Sequence, residues 1–553
     1  MADTKDKVFL GLIIILVIAL SVRITFFVTR TPIIENEGGE LATIAENLLE
    51  GKGYIGQGLT GKPQLSIPPF YPYSIALLAS ITKNTETAGR ILSLAMGLWL
   101  VVAVYMLGTY IYSQRVGMIA AVLAAAHPLL VKLSVLVQTE SMYYALVLSG
   151  VYFGLKAIES NGLKYFLGAG VFYSVAYLTR PEAFLFILLT GGYVFIVAFF
   201  RKEEWKRTFS GIIAMTLLFL IIASPYIYYL YRYTGKFHME GKTPVNFAIG
   251  QLVLSGRSGM ESVYGVDDDL NEYGVYMGDI NRYYMPNVNN ATPGELFTYS
   301  FRAVKEQMIN IYNDAVKMPA YGGPFLLALV VMGLFRSPWD RSRAMKEFYL
   351  FSIVLSIIVV ILSVLFFQSR YLYLLLPILL LWGAKGIDEI ASWMGKTLNL
   401  TVKSNVVWIT RIPHVVRIIL VFGILSVAAW YDISEKHDDL ASRKISCINT
   451  KNAGLWLKDQ PPPDKVVMDA GSAVPYYSRA EYIALPYASS STAIKYMYKK
   501  SPDYIVLRGA LSNQRPYLRE WLTEGIPDRH AILIYDVGNR IEDTIKIYKW
   551  SGK

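Results

Sequence analysis

The hydrophobic and polar positions of this chain fall into long blocks. Mainly apolar runs lie at residues 8–28, 88–112, 117–132, 138–158, 165–180, 182–200, 208–231, 320–336, 348–367, 371–385 and 414–431. A helix needs about 20 such residues to cross the hydrocarbon core, so these runs predict about eleven transmembrane helices, two of them short. The first run follows the polar start MADTKDK, and no small-residue cleavage site follows it, so it reads as a retained span.

The polar blocks between the runs set the sidedness. With the N-terminus cytoplasmic, the inner connections hold Arg115, Arg201, Lys202, Lys206, Arg207, Arg336, Arg341, Arg343, Lys346, Lys385, Lys396, Lys403 and Arg411. The short outer connections hold only Arg180 and Arg370. Short loops rich in Lys and Arg stay inside, so this asymmetry predicts a cytoplasmic N-terminus and, with eleven spans, an external C-terminus. Residues 1–431 then form a transmembrane domain with large outer loops at 29–87 and 232–319. Residues 432–553 form an extracytoplasmic domain.

Each external segment has its own pattern. Leu41, Ile44, Ala45, Leu48 and Leu49 recur at helical spacing between Glu40 and Glu50, as on an interfacial helix. A similar face, Phe297, Phe301, Val304, Met308 and Ile311, predicts a helix over 295–313. In the tail, helical patterns alternate with the short apolar runs VVMDA (466–470), YIVLR (504–508) and AILIYDV (531–537), which predicts a small α/β domain.

Composition agrees with a polytopic membrane protein. Of 553 residues, 54% are apolar and 17% charged, an excess of apolar side chains that one aqueous core does not hide. The net charge of +11, from 53 Lys and Arg against 42 Asp and Glu, is mostly topological anchoring and gives no case for a nucleic-acid partner. A single cysteine, Cys447, excludes an intrachain disulfide and a cysteine-based metal cluster. No dinucleotide fingerprint, phosphate loop or zinc-ligand spacing occurs in the tail.

Candidate chemistry gathers on the outer side. Glu35, Glu37 and Glu40 follow the first span, and Glu140 opens the fourth after Thr139, a potential helix cap. Arg180, in YLTRPEAF, and Arg370, in QSRYLYLLLP, oppose the positive-inside bias. A guanidinium at such a tight outer turn suits a phosphate through paired donors. Lys52, Lys62, Arg302 and Lys305 are further outer cations.

The stretch from Glu37 through NLLEGKGY (47–54) and PPFYP (68–72) resembles the first periplasmic loop of glycosyltransferase family 39, the protein O-mannosyltransferase and aminoarabinose-transferase-like enzymes of the GT-C superfamily. YLTRPEAF (177–184), SRYLYLLLP (369–377) and GLWLKDQPPPDKVVM (454–468) are also similar to it, in the same order and on the expected side.

The resemblance implies a membrane transferase that moves a sugar from a polyprenyl-phosphate carrier to a lipid, glycan or protein hydroxyl on the outer face of the plasma (inner) membrane. Counted back from Ile44 and Ala45, the family's catalytic Asp falls on Glu37, and the acid that follows it falls on Gly38. Ile67 stands where relatives often carry a basic residue or His, which leaves Lys62 as a substitute. The implied site is Glu37 as base, Glu140 orienting acceptor or sugar, and Arg370, Tyr371, Arg180, Lys62 and Arg302 on the lipid phosphate. No metal constellation is evident, so a divalent metal is possible without being indicated.

The inventory fits independently: a phosphate leaves without an acid, so one base and several cations suffice. The competing expectations are a polymerase or ligase acting on pyrophosphate-linked glycan, a lipid or sugar transporter, and a non-catalytic scaffold. The sequence does not name the sugar, the acceptor or the oligomeric state.

Overall fold

A backbone inside hydrocarbon must satisfy its own hydrogen bonds, which for apolar runs of this length leaves the α-helix. The computed structural model describes residues 2–30, 33–35, 37–57, 62–201, 205–278, 280–284, 304, 308–309, 323–363, 369–402, 407–434 and 440–552. Within them, each apolar run coincides with helix. In order come α1 (Ala2–Arg30), α2 (Glu37–Leu49), α3 (Phe70–Thr82), α4 (Thr85–Ile111), α5 (Gln114–Ala126), α6 (Pro128–Leu133), α7 (Glu140–Ser160) and α8 (Leu163–Tyr177). They are followed by α9 (Phe184–Arg201), α10 (Trp205–Thr234), α11 (Thr243–Leu254), α12 (Gly259–Tyr264), α13 (Gly323–Phe335), α14 (Arg341–Ser363), α15 (Leu375–Val402) and α16 (Val407–Ser434).

Among the described residues, six segments are long and apolar enough to cross a membrane: Asp6–Arg30, Thr85–Ile111, Glu140–Ser160, Pro181–Arg201, Trp205–Thr234 and Arg411–Trp430. The run at 117–132 differs from expectation. Extended His127 separates α5 from α6, and Pro128, which has no N–H to give a continuous helix, opens α6. Close helix packing relies on small residues. At the crossing of α13 with α15, a Cβ added to Gly386 would stand 1.9 Å from the Leu329 carbonyl oxygen.

The outer segments fold onto the helices. Helix α2 starts at Glu37 rather than Glu40, and its Leu41, Ala42, Ile44 and Ala45 are buried in the protein core, so its apolar face packs against protein. The helix expected over 295–313 lies outside the described residues except at Val304, Met308 and Ile309.

The tail follows α17 (Leu440–Lys458) and holds β1 (Val466–Asp469), α18 (Ala473–Ser478), β2 (Glu481–Ala484), α19 (Ser490–Lys500), β3 (Tyr504–Arg508), α20 (Leu518–Glu524), β4 (Ala531–Val537) and β5 (Ile545–Trp550). The five strands form one sheet in the order β2-β1-β3-β5-β4, parallel across β2, β1 and β3 and antiparallel at β5 and β4. The three expected apolar runs are β1, β3 and β4.

A strap from the second outer loop joins this domain. The backbone N–H groups of Val266 and Tyr487 donate to the carbonyls of Tyr487 and Tyr264 (3.3 and 2.7 Å), and Val266 and Met277 enter the tail core. The tail thus packs over the end of the helix bundle where the candidate residues lie.

Candidate active site

Four of the sequence-predicted residues meet at one end of the helix bundle. Glu37 is the first residue of α2 and Glu140 the first of α7, where a carboxylate complements the exposed N–H groups of a helix start. Arg180 precedes the 3₁₀ turn Pro181–Ala183, and Arg370 lies in the 3₁₀ turn Ser369–Leu374. Both arginines leave regular helix, which lets them point across the bundle end.

Together they form a string of alternating charge. Arg370 Nη1 donates to Glu37 Oε2 and stands 3.9 Å from Glu140 Oε1. Arg180 Nη1 donates to the same Glu140 oxygen at 3.1 Å, and its Nη2 reaches Glu182 Oε1 at 3.4 Å. Glu140 is 1% exposed, so its partnership with cations is what makes burial of the charge tolerable.

Burial alone pushes the Glu37 carboxyl up. The positive charges of Arg370, Lys242 and Arg180, with the hydrogen bond from Arg370, outweigh it and hold the group down at about 2. Glu40, one turn on, has the opposite balance. Burial pushes it up to about 7 against hydrogen bonds donated by the Gln64 amide and the Gln57 backbone N–H. Glu40 therefore ties Gln57 and Gln64 to α2.

Beside the charge string lies a narrow cleft whose lining includes Tyr143, Tyr144, Phe186, Ile357, Arg180 and Arg370. Three buried polar atoms at this end, Glu140 Oε2, Glu182 Oε2 and the Tyr144 hydroxyl, have no hydrogen-bond partner among the described residues. Leaving such atoms dry and unpaired costs about 1–3 kcal/mol each.

The remaining expectations divide. Tyr371 shares the turn of Arg370. Lys62 is exposed and does not line the cleft. Arg302 and Lys305 lie outside the described residues. Thr139 stands before α7 but does not cap it with its side chain. Its backbone is already helical (φ −75°, ψ −17°), whereas a capping hydroxyl reaches the first N–H groups from an extended residue.

At Gly38, where the resemblance implied a second acid, there is no room for a side chain. A Cβ there would meet the Val137 carbonyl oxygen at 2.7 Å.

Two participants escaped sequence reading. Lys242 precedes α11, where Glu240 accepts from the backbone N–H groups of Lys242 and Thr243 at 2.6 and 3.0 Å, and its charge reaches Glu37 and Glu182. A lysine in a long outer loop carries no topological signal. Glu182 had one: an acid two residues from an outer arginine. Among the described residues no group of three or more His, Cys, Asp or Glu is placed to hold a metal ion.

Residues 66–229 match the dolichyl-phosphate-mannose-protein mannosyltransferase family. No curated protein matches the chain by sequence. The archaeal oligosaccharyltransferase AglB from Archaeoglobus fulgidus, solved with an inhibitory peptide and a dolichol-phosphate, has a similar structure. Its TM-score is 0.60 at 12% identity, over 100% of this chain and 74% of that one. ArnT from Cupriavidus metallidurans, solved with undecaprenyl phosphate, matches with a TM-score of 0.54 at 12% identity, over 97% of each chain. At such identities the likeness is one of fold. With the family match across the Arg180 turn, the chain is a multi-pass membrane glycosyltransferase of the GT-C fold.

Proposed function

We propose that this enzyme moves a sugar from a polyprenyl-phosphate donor to a hydroxyl of a lipid, glycan or protein on the outer face of the plasma membrane, with the N-terminus cytoplasmic and the tail domain outside. The observation that carries the reading is the string Glu37, Arg370, Glu140, Arg180 beside a cleft with apolar walls. Cations at the mouth of an apolar cleft suit a phosphate on a hydrocarbon chain. AglB and ArnT, which share the fold, were solved with such lipids.

In the proposed step the acceptor oxygen attacks the anomeric carbon from the side opposite the phosphate. The bond from that carbon to the phosphate oxygen breaks, and its electron pair leaves with the polyprenyl phosphate. The acceptor proton passes to Glu37, and the anomeric configuration inverts. Arg370, Arg180 and Lys242 hold the growing negative charge of the leaving phosphate. Glu140, with its unpaired oxygen, orients a hydroxyl of sugar or acceptor.

The apo ion pair adds a condition. Glu37 paired with Arg370 is a weak base, so donor binding has to take over the guanidinium. A phosphate on Arg370 releases the carboxylate and raises its basicity, which makes the base active only when the donor is present.

The test is transfer of labelled sugar by the purified enzyme in lipid nanodiscs, together with mass spectrometry of the lipid that copurifies. Full turnover by Glu37→Gln would end the assignment of the base. Transfer of a whole glycan from a pyrophosphate-linked lipid is a second reading, favoured by the full-length fold match to an oligosaccharyltransferase. A glycan in place of a single sugar on the copurified lipid would select it.

A further inference from the structure

The parallel strands of the tail end at an occupied crevice. The chain leaves β1 toward β2 on one side and leaves β3 toward β4 and β5 on the other. In open α/β sheets the space outside the carboxyl ends of two such strands is the usual place for a ligand. Here Asp469 ends β1 and Arg508 ends β3. Arg508 is 2% exposed, and its Nε stands 3.2 Å from Asp469 while its Nη2 stands 2.6 Å from Glu35 Oε1. The carboxylate in the crevice therefore belongs to the transmembrane domain's own first outer loop.

The neighbouring contacts fix the same segment. The Ile34 backbone N–H donates to the Tyr477 hydroxyl at 3.1 Å, and the Gln57 amide donates to the Ser472 carbonyl at 3.3 Å. The Gly38 N–H donates to the Glu35 carbonyl at 3.0 Å. A Cβ on Gly39 would stand 2.6 Å from Ser472 Oγ, and one on Gly38 would stand 2.7 Å from the Val137 carbonyl oxygen. The first turn of α2 is thus wedged between the two domains, and Glu37 is the residue presented from that wedge.

We infer that the tail domain positions the catalytic carboxylate, with Arg508 as the positioning residue that grips Glu35 two residues before Glu37. The inference rests on the reading of Glu37 as the base. Arg508 touches neither donor nor acceptor. It acts by holding the start of α2 where the Glu37 carboxylate reaches both Arg370 and the incoming hydroxyl. A misplacement of about 1 Å at a reacting group costs up to roughly 100-fold in rate.

The experiment compares Glu35→Gln, Arg508→Gln, Arg508→Lys and the double variant E35Q/R508Q in the full-length enzyme, reading kcat, donor KM and amide exchange of the 37–49 segment. Because Arg508 also pairs with buried Asp469, Arg508→Gln risks the tail fold. Glu35→Gln leaves that pair intact and is the cleaner probe.

Expected are a fall in kcat of about 10- to 100-fold with donor KM changed less than about threefold, faster exchange in α2 with the tail sheet still protected, a double variant no worse than the worse single one, and partial recovery in Arg508→Lys. Unchanged kcat and exchange in Glu35→Gln, or a change in KM alone, would overturn the inference. Exchange separates the two readings. If Glu35→Gln loosens α2 while Glu37→Gln keeps full turnover, the positioning stands and the base assignment falls.

Discussion

Arg370 and Glu37, 333 residues apart in the chain, form an ion pair at one end of the helix bundle. The pair joins the residue assigned to the departing phosphate with the residue assigned to the incoming hydroxyl. In the proposed step the donor phosphate takes Arg370 from Glu37.

Removing the base follows directly. Glu37→Gln keeps the shape and loses the proton acceptor, so kcat should fall by about 10²- to 10⁴-fold, the range typical of a general base. Donor binding should survive, because Arg370 is then released from a competing carboxylate. Thermal stability with and without undecaprenyl phosphate, alongside single-turnover transfer, checks both halves. A variant that loses donor binding as much as turnover would place Glu37 on the donor instead.

The phosphate assignment predicts a graded loss. Arg370→Gln and Lys242→Gln should each weaken donor binding by roughly 10- to 100-fold, the worth of a charge-assisted hydrogen bond, while Lys62→Gln should change it little. Arg180→Gln should do more harm than either, since it also strands buried Glu140 and Glu182. Titration of the nanodisc enzyme with undecaprenyl phosphate gives the order. An equal effect of Lys62 and Lys242 would sink it.

What the sequence reveals about this site, and what it hides, follows from the kind of signal each residue carries. Arg180 and Arg370 were legible because they break a rule of sidedness, and Glu37 because resemblance aligned it. The apolar runs were legible as helix because hydrocarbon leaves a backbone few choices, while six of the described segments are long and apolar enough to cross a membrane.

Lys242 was hidden in a loop of 88 residues (232–319), where charge carries no positional meaning. The edge of β2 at Glu481–Ala484 and the strand Ile545–Trp550 were missed because both are short or broken by lysines, and only the sheet order gives them partners. The grip of Arg508 on Glu35 spans 473 residues, a pairing no local pattern records.

The wedge at the start of α2 makes a steric prediction. Gly39→Ala puts a methyl group 2.6 Å from Ser472 Oγ, so it should cost roughly 1–3 kcal/mol of overpacking and lower kcat by shifting Glu37. Ser472→Gly in the same chain should restore both. Gly38→Asp, which would create the acidic pair that the resemblance implied, should lose turnover because the obstacle is the backbone carbonyl of Val137. Melting temperatures and turnover of the three variants decide it, and a wild-type Gly39→Ala would mean that the two domains do not clasp α2 this closely.

The last prediction concerns Glu40, whose folded pKa lies at about 7 against an ordinary value of 4.5 because burial disfavours its charge. Between these two values the folded protein holds a proton that the unfolded chain has released. Unfolding is then favoured as pH rises, so the Glu40 contribution to stability declines from about pH 4.5 and levels off above about 7.

The effect is on the order of a few kcal/mol. Asp469, pushed up to about 6 by burial against the nearby charge of Arg508, contributes a slope of the same sign, so wild-type data alone do not isolate Glu40. The difference between wild type and Glu40→Gln does. The variant loses the ionisation and retains one of the two accepting positions, toward the Gln57 N–H or the Gln64 amide. Its melting temperature should lie below wild type at pH 5, close the gap as pH rises, and match or exceed wild type at pH 8. Parallel curves for the two proteins across that range would show that Glu40 is already ionised in the folded enzyme.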